Sequence, residues 1–441
     1  MNNLERTLGL KDLTLLVMGA VIGSGIYLVP GGVLQQTGGT IALALLVWFS
    51  AGVLSLLGGL TYGELSAANP EAGGIYVYIR DAFGSLPAFL YGWTLFFVIS
   101  AGAIATLAVA FSTYLNELVP ADGLNGKIVS LIMIGVITWL NVRGTRQSAD
   151  VQNVTTAIKA AGILVMSLLF VVLGNGFEGT GERVWPSGVS LPLFSSVLTA
   201  MIGVLWAYEG WQYATFSAGE TIRPQHTFPR GMIYGTAALI LLYCLANIGY
   251  IAVLGPDGVA GSNTVAADAA GKLFGPAAAR LIAVIILISI FSAANSILLT
   301  SPRVYFAMAR DGIFFRRLAE VHPRFGTPAF AVAAQAIVAA ILAATGTFEQ
   351  LLTYVVFTGW IFYALGAASI FVFRRKYPEM ERPFRVPGYP FTPLLFVIAA
   401  AAIVINAVIS QPGRVIVGLG IVLLGAPAYY IWQVSAKPAL E

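Results

Sequence analysis

The sequence predicts an all-α integral membrane protein of twelve transmembrane helices, with helices 1 and 6 discontinuous at mid-bilayer. Three observations predict it. Of 441 residues, 58% are hydrophobic and only 10% charged, against about a quarter charged in soluble proteins. Apolar runs of the roughly 20 residues that a bilayer core demands recur along the whole chain. Two of those runs, five spans apart, carry glycine and polar residues near their middles. Charge this sparse cannot solvate a globule, which argues against a soluble enzyme, a disordered chain and a nucleic-acid binder. The mean hydropathy of +0.83 makes lipid the solvent for most of the surface.

The spans fall at about 13–35, 41–66, 87–117, 128–141, 154–173, 193–216, 232–254, 277–309, 329–345, 350–373, 391–410 and 414–433. Segment 128–141 is short, with an uncertain start. The first run is too long, and followed by too many others, to be a cleaved signal peptide. Of 24 Lys and Arg, 17 lie in connectors on the amino-terminal side of the membrane and 5 in the opposite connectors, with Lys159 and Arg303 inside spans. That bias predicts both termini in the cytoplasm, in a cell inner membrane or plasma membrane. The longest connectors, 174–192, 255–276 and 374–390, are too short for a soluble domain, so residues 1–441 read as one membrane domain. The single cysteine, Cys244, allows no internal disulfide. His226 and His322 lie in polar connectors, and neither a metal site nor a cofactor is expected.

Span 1 carries Gly19, Ala20, Val21, Ile22, Gly23, Ser24, Gly25 and Ile26 at its centre. Two glycines around a serine weaken a helix at the depth where a break is most expensive. Close helix packing of the small-xxx-small type is the other reading. Span 6 carries Trp206, Ala207, Tyr208, Glu209, Gly210, Trp211 and Gln212. A mid-span acid costs about 2.5–3.5 kcal/mol unless it faces a cavity or a partner. Paired breaks point to a transporter site between two inverted repeats, 13–173 and 193–373, with 391–433 appended. A break frees N–H groups at one half-helix start and C=O groups at another half-helix end. The first suit a carboxylate and the second an ammonium, so the geometry predicts a zwitterionic substrate.

Lys159 lies in span 5, about 10 Å from its nearer end at 1.5 Å per residue. It could snorkel to water, or sit between helices among Ala157, Ala160, Ala161 and Gly162. A fixed ammonium there replaces a bound Na⁺, giving an exchanger, or releases a proton in the cycle, giving a symporter. No His-Glu-x-x-His, Gly-x-Ser-x-Gly or Cys/His pair supports an intramembrane enzyme.

The chain resembles the L-type amino acid transporter family, and its bacterial homologues, of the amino acid–polyamine–organocation superfamily. The resemblance is carried by Gly23-Ser24-Gly25-Ile26, Tyr62-Gly63-Glu64-Leu65, Gly73-Gly74-Ile75-Tyr76, Gly84 to Ala88, Asn141-Val142-Arg143-Gly144, Ala207 to Trp211, Gly219-Glu220 with Pro224 and Pro229-Arg230, Asn295 with Arg303, and Arg382-Pro383-Phe384. It implies a LeuT-like 5+5 inverted repeat with two extra carboxy-terminal helices. It implies a sodium-independent exchanger (antiporter) of small or medium neutral L-amino acids. The alternative is a proton-coupled amino acid or polyamine symporter on the same fold. The substrate carboxylate would meet the backbone of Ser24, Gly25 and Ile26, and the amino group the carbonyls of Ala20, Val21, Trp206 and Ala207. Trp206 matches a closing aromatic, although a belt residue is the bland reading. By resemblance Lys159 ties Gly19 to span 8 through Ser289 or Ser292, and to Tyr243. Tyr243 reads equally well as a hydrogen-bonded core residue. Glu209 either favours cationic substrates or is hydrogen-bonded within the break. The connector 118–127 lacks the cysteine that joins animal members to an ancillary glycoprotein, so no disulfide-linked subunit is expected.

Overall fold

The structure is a computed structural model. It describes every residue except 1–5, 7, 120–124, 144, 179–180, 182–183, 187, 189–190 and 437–441, and for 117, 145–149 and 433–436 the backbone alone. The two termini and half of the 118–127 connector therefore lie outside the described residues.

The described residues are helical, with one isolated bridge pairing Leu8 and Thr221. Ten helices are long and apolar enough to cross a membrane, or eleven if the bent pair Leu10–Val21 and Gly25–Gln36 is one span. Ala329–Thr345 is a further apolar helix of 17 residues. The expected segments coincide with helices, and the doubtful start near 128 resolves into Gly126–Arg143. Large apolar side chains remain exposed along the outer faces, among them Leu191, Val172, Leu241 and Ile409. Lipid is the solvent that makes such a surface stable.

Local chemistry sets the ends and bends. Thr347 caps Phe348–Lys376 through a reciprocal pair with Gln350, and Arg374, Arg375 and Lys376 oppose the dipole at its far end. Proline starts Pro224–Ala260, Pro276–Thr300 and Pro302–Arg310, where a missing N–H loses no helix bond. Ser85–Thr94 joins Ser100–Leu118 through a five-residue π segment, Leu95–Ile99. Two helices, Ile75–Phe83 and Val265–Phe274, were not expected from hydropathy. At 9 and 10 residues they are too short to register as spans, so the sequence reads them as connector.

Buried charges clamp one end of the bundle. Arg303 forks onto Glu220, Nε to Oε2 at 2.6 Å and Nη2 to Oε1 at 2.9 Å. Glu64 takes Arg374 at 2.9 and 2.6 Å and the Val386 N–H at 2.7 Å. The Leu8 N–H donates to Glu220 O at 3.0 Å, tying the approach to span 1 to the end of span 6. Glu220→Gln leaves the Arg303 guanidinium buried without its counter-charge, an expected cost of about 3–5 kcal/mol. Thermal unfolding in detergent should show a clear fall in midpoint. Glu349→Gln, breaking the exposed 3.5 Å pair with Arg414, should shift it far less, by under about 1 kcal/mol. Equal shifts would contradict the assignment.

Candidate functional site: a cavity between two broken helices

The first break separates Leu10–Val21 from Gly25–Gln36, whose axes differ by 49°. The second follows Leu191–Ala207, where Tyr208, Glu209 and Gly210 turn the chain into the 3₁₀ helix Trp211–Glu220. The breaks meet. A Cβ on Gly25 would lie 2.4 Å from Ala207 Cα, and one on Gly210 would lie 2.6 Å from the Ala20 carbonyl carbon and oxygen. Gly210 also has φ +132°, a conformation that side chains oppose. Glycine at both positions is what lets the two main chains touch.

Each break leaves backbone groups unused. The N–H groups of Ser24, Gly25 and Ile26 donate to no described residue, and the Ser24 Oγ is buried without a partner. These are free donors at a half-helix start, an anion site by geometry. The carbonyls of Ala20 and Ala207 accept no hydrogen bond from a described residue. Trp206 O accepts the Glu209 N–H at 3.0 Å and Val21 O accepts Tyr243 Oη at 3.2 Å, each leaving one lone pair.

Lys159 is fully buried, which excludes snorkelling. Its Nζ donates to Gly19 O at 2.8 Å and to Ile22 O at 2.7 Å, so the lysine side chain occupies the carbonyl end of the first half-helix. Cations belong at that end of a helix dipole. Of the residues implied as its partners Gly19 bonds to it, whereas Ser289, Ser292 and Tyr243 bond elsewhere. Ser289 Oγ donates instead to the same Ile22 carbonyl at 3.2 Å, and Tyr243 to Val21 O. Ser292 turns to span 5, donating to Gln152 Oε1 at 3.2 Å and sharing a 2.9 Å bond with Thr155 Oγ1. Lys159 has only hydrogens to give, and a carbonyl of the broken strand is a better acceptor than a hydroxyl that must also donate. Spans 5, 7 and 8 thus brace one strip of backbone, each by its own donor.

Between the breaks lies a small cavity, lined by Ala20, Val21, Gly23, Ser24, Gly25, Trp206 and Glu209. The far wall is Ala103 and Leu107 from span 3 with Ala293 and Ile297 from span 8. Nothing in the sequence distinguishes those four from other apolar residues of long apolar spans. Trp206 stands edge-on to Phe348, ring centres 6.3 Å apart.

Glu209 is buried at this wall and makes no ion pair with a described residue. Its Oε1 accepts from Tyr363 Oη at 2.6 Å and from Gln212 Nε2. Gln212 Nε2 also reaches Tyr363 Oη at 2.8 Å, while its Oε1 takes the Gly210 N–H at 3.1 Å. Tyr363, in span 10, carries no sequence signal: it is one of 18 tyrosines, most of them in apolar spans.

A small cavity with free N–H donors at one half-helix start and free carbonyls at Ala20 and Ala207 is the arrangement found in membrane transporters of the discontinuous-helix class. The chain belongs to the amino acid permease family, which it matches over residues 8–426. It is 30% identical to the large neutral amino acids transporter small subunit 2 of Mus musculus, over 98% of this chain and 83% of that protein. It is equally similar to the serine/threonine exchanger SteT of Bacillus subtilis, over 97% of both chains. The human cystine/glutamate transporter matches at 30% over 96% of this chain and 84% of its own length. The family and these relatives are transporters, not enzymes.

Proposed function

We propose that this protein is a sodium-independent exchanger of small or medium neutral L-amino acids, working by alternating access. The observation that carries it is the juxtaposition of unused N–H groups at Ser24, Gly25 and Ile26 with unused carbonyls at Ala20 and Ala207. An α-amino acid brings a carboxylate to the first and an ammonium to the second. Sodium independence rests on Lys159, whose ammonium sits on the Gly19 and Ile22 carbonyls as a resident cation. Small wall residues (Ala20, Gly23, Ala103 and Ala293) favour small side chains. The relatives, named as amino acid transporters and an exchanger, support the same reading.

In this reading Ala329–Thr345 and the bent pair complete twelve spans, since 17 residues reach about 25 Å. The spans form inverted repeats 13–173 and 193–373 within one membrane domain, with 391–433 appended and both termini cytoplasmic. No disulfide-linked subunit is expected, because the 118–127 connector carries no cysteine.

The test is counter-flow in proteoliposomes. Labelled alanine should enter vesicles loaded with unlabelled alanine and not empty ones. Replacing Na⁺ by choline, or imposing a pH gradient, should leave the rate unchanged. Uptake into empty vesicles driven by a pH gradient would replace the exchanger with a proton symporter.

A further inference from the structure

We propose that Glu209 sets substrate selectivity: the cavity prefers amino acids bearing a hydrogen-bond donor, a hydroxyl or an amine, on the β-carbon. The inference rests on the transport reading above and deepens it.

Glu209 is held from two sides. Tyr363 and Gln212 both donate to Oε1, and Gln212 is itself anchored by the Gly210 N–H. Tyr62 Oη donates to the Tyr363 carbonyl at 2.7 Å, fixing span 10 against span 2 at the same level. The carboxylate is therefore oriented by spans 6 and 10 together. Oε2 accepts from no described residue, yet Glu209 retains 7% exposure and lines the cavity. Oε2 is left for the occupant. The far wall is apolar: Ala103, Leu107, Ala293 and Ile297 offer no side-chain donor, and the other donor-bearing side chains of the lining are Ser24 and Trp206, on the broken helices.

A carboxylate oxygen that faces a narrow cavity without a protein donor is poorly compensated, and a substrate that displaces water from the cavity and supplies a donor removes the penalty. An apolar pocket separates substrates differing by one group by modest factors. A site built to bond a substrate OH or NH rejects the analogue lacking it far more strongly, because the buried acceptor is then stranded. Pinning the broken helix to span 10 is a second consequence of the same network, but it does not discriminate between substrates of equal shape.

The experiment uses isosteric pairs competing for labelled alanine exchange by the full-length protein in proteoliposomes. The pairs are threonine against valine, and 2,3-diaminopropionate against 2-aminobutyrate. The wild type should favour the donor member of at least one pair by about tenfold or more. The first pair reports a hydroxyl partner and the second an ammonium. Glu209→Ala should bring both ratios close to one. Glu209→Gln keeps the shape, and its amide oxygen stays with Tyr363 and Gln212, turning its NH₂ to the cavity; it should abolish any preference for the ammonium. Ratios near one in the wild type overturn the inference while alanine exchange continues. A donor preference that survives Glu209→Ala overturns it equally. Wild-type protein that exchanges no amino acid overturns the transport reading, and this inference with it.

Discussion

Lys159→Ala is expected to slow alanine exchange at least about tenfold in protein that still elutes as a single species. The substitution deletes an ammonium with bonds of 2.8 and 2.7 Å to Gly19 O and Ile22 O. Hydrogen bonds to a charged group contribute about 1.5–3 kcal/mol each, and 1.4 kcal/mol is a factor of ten. Losing one of the two is enough. The stranded carbonyls lie at the end of the half-helix whose neighbours form the cavity, so the harm falls on the site rather than on the periphery. Lys159→Arg should not rescue, because the lysine is fully enclosed and a guanidinium is broader. Initial rates per reconstituted molecule, with affinities measured from each side, make the check. Unchanged values on both sides would remove the lysine from the mechanism.

Gly25→Ala is expected to abolish measurable substrate binding. The new methyl would lie 2.4 Å from Ala207 Cα, 2.6 Å from Ala207 Cβ and 3.1 Å from its nitrogen. Two of those atoms are backbone, so no side-chain rotation relieves the clash, and the broken helices must move apart. Overpacking of this kind typically costs 1–3 kcal/mol of stability. The larger loss is functional: donors at Ser24–Ile26 and acceptors at Ala20 and Ala207 no longer match the span of one small zwitterion. Equilibrium binding of labelled alanine to detergent-solubilised protein reads this directly. Wild-type affinity in Gly25→Ala would show that the approach of Gly25 to Ala207 does not matter.

What was legible in the sequence follows from the strength of each physical signal. Lipid demands long apolar runs, so helix positions stand out along the chain. A glycine pair around Ser24 and an acid at Glu209 are conspicuous in such runs, and so is Lys159. Their partners are not. Gly19 and Ile22 act through carbonyls, which every residue has. Tyr363 and Gln212 matter because three-dimensional packing brings them to Glu209, and sequence spacing carries no trace of a contact between spans 6 and 10. The same holds for Ala103, Leu107, Ala293 and Ile297, whose role is to be small or apolar at one depth. The implied links from Lys159 to Ser289, Ser292 and Tyr243 dissolve for a related reason. Lys159, Ser289 and Tyr243 converge on one region of backbone, where proximity is not bonding between them, and Ser292 turns to Gln152 and Thr155 instead. The helices Ile75–Phe83 and Val265–Phe274 escape a hydropathy reading because each is too short, and carries two charged residues, to register as an apolar run.

The central claim is that main chain, not side chain, grips both charges of the substrate. An experimental structure with bound alanine tests it most directly. The carboxylate should lie within about 3 Å of the N–H groups of Ser24, Gly25 and Ile26, with the ammonium at the carbonyls of Ala20 and Ala207. Alanine bound elsewhere, or with its carboxylate on the Lys159 ammonium and those N–H groups unoccupied, would contradict it.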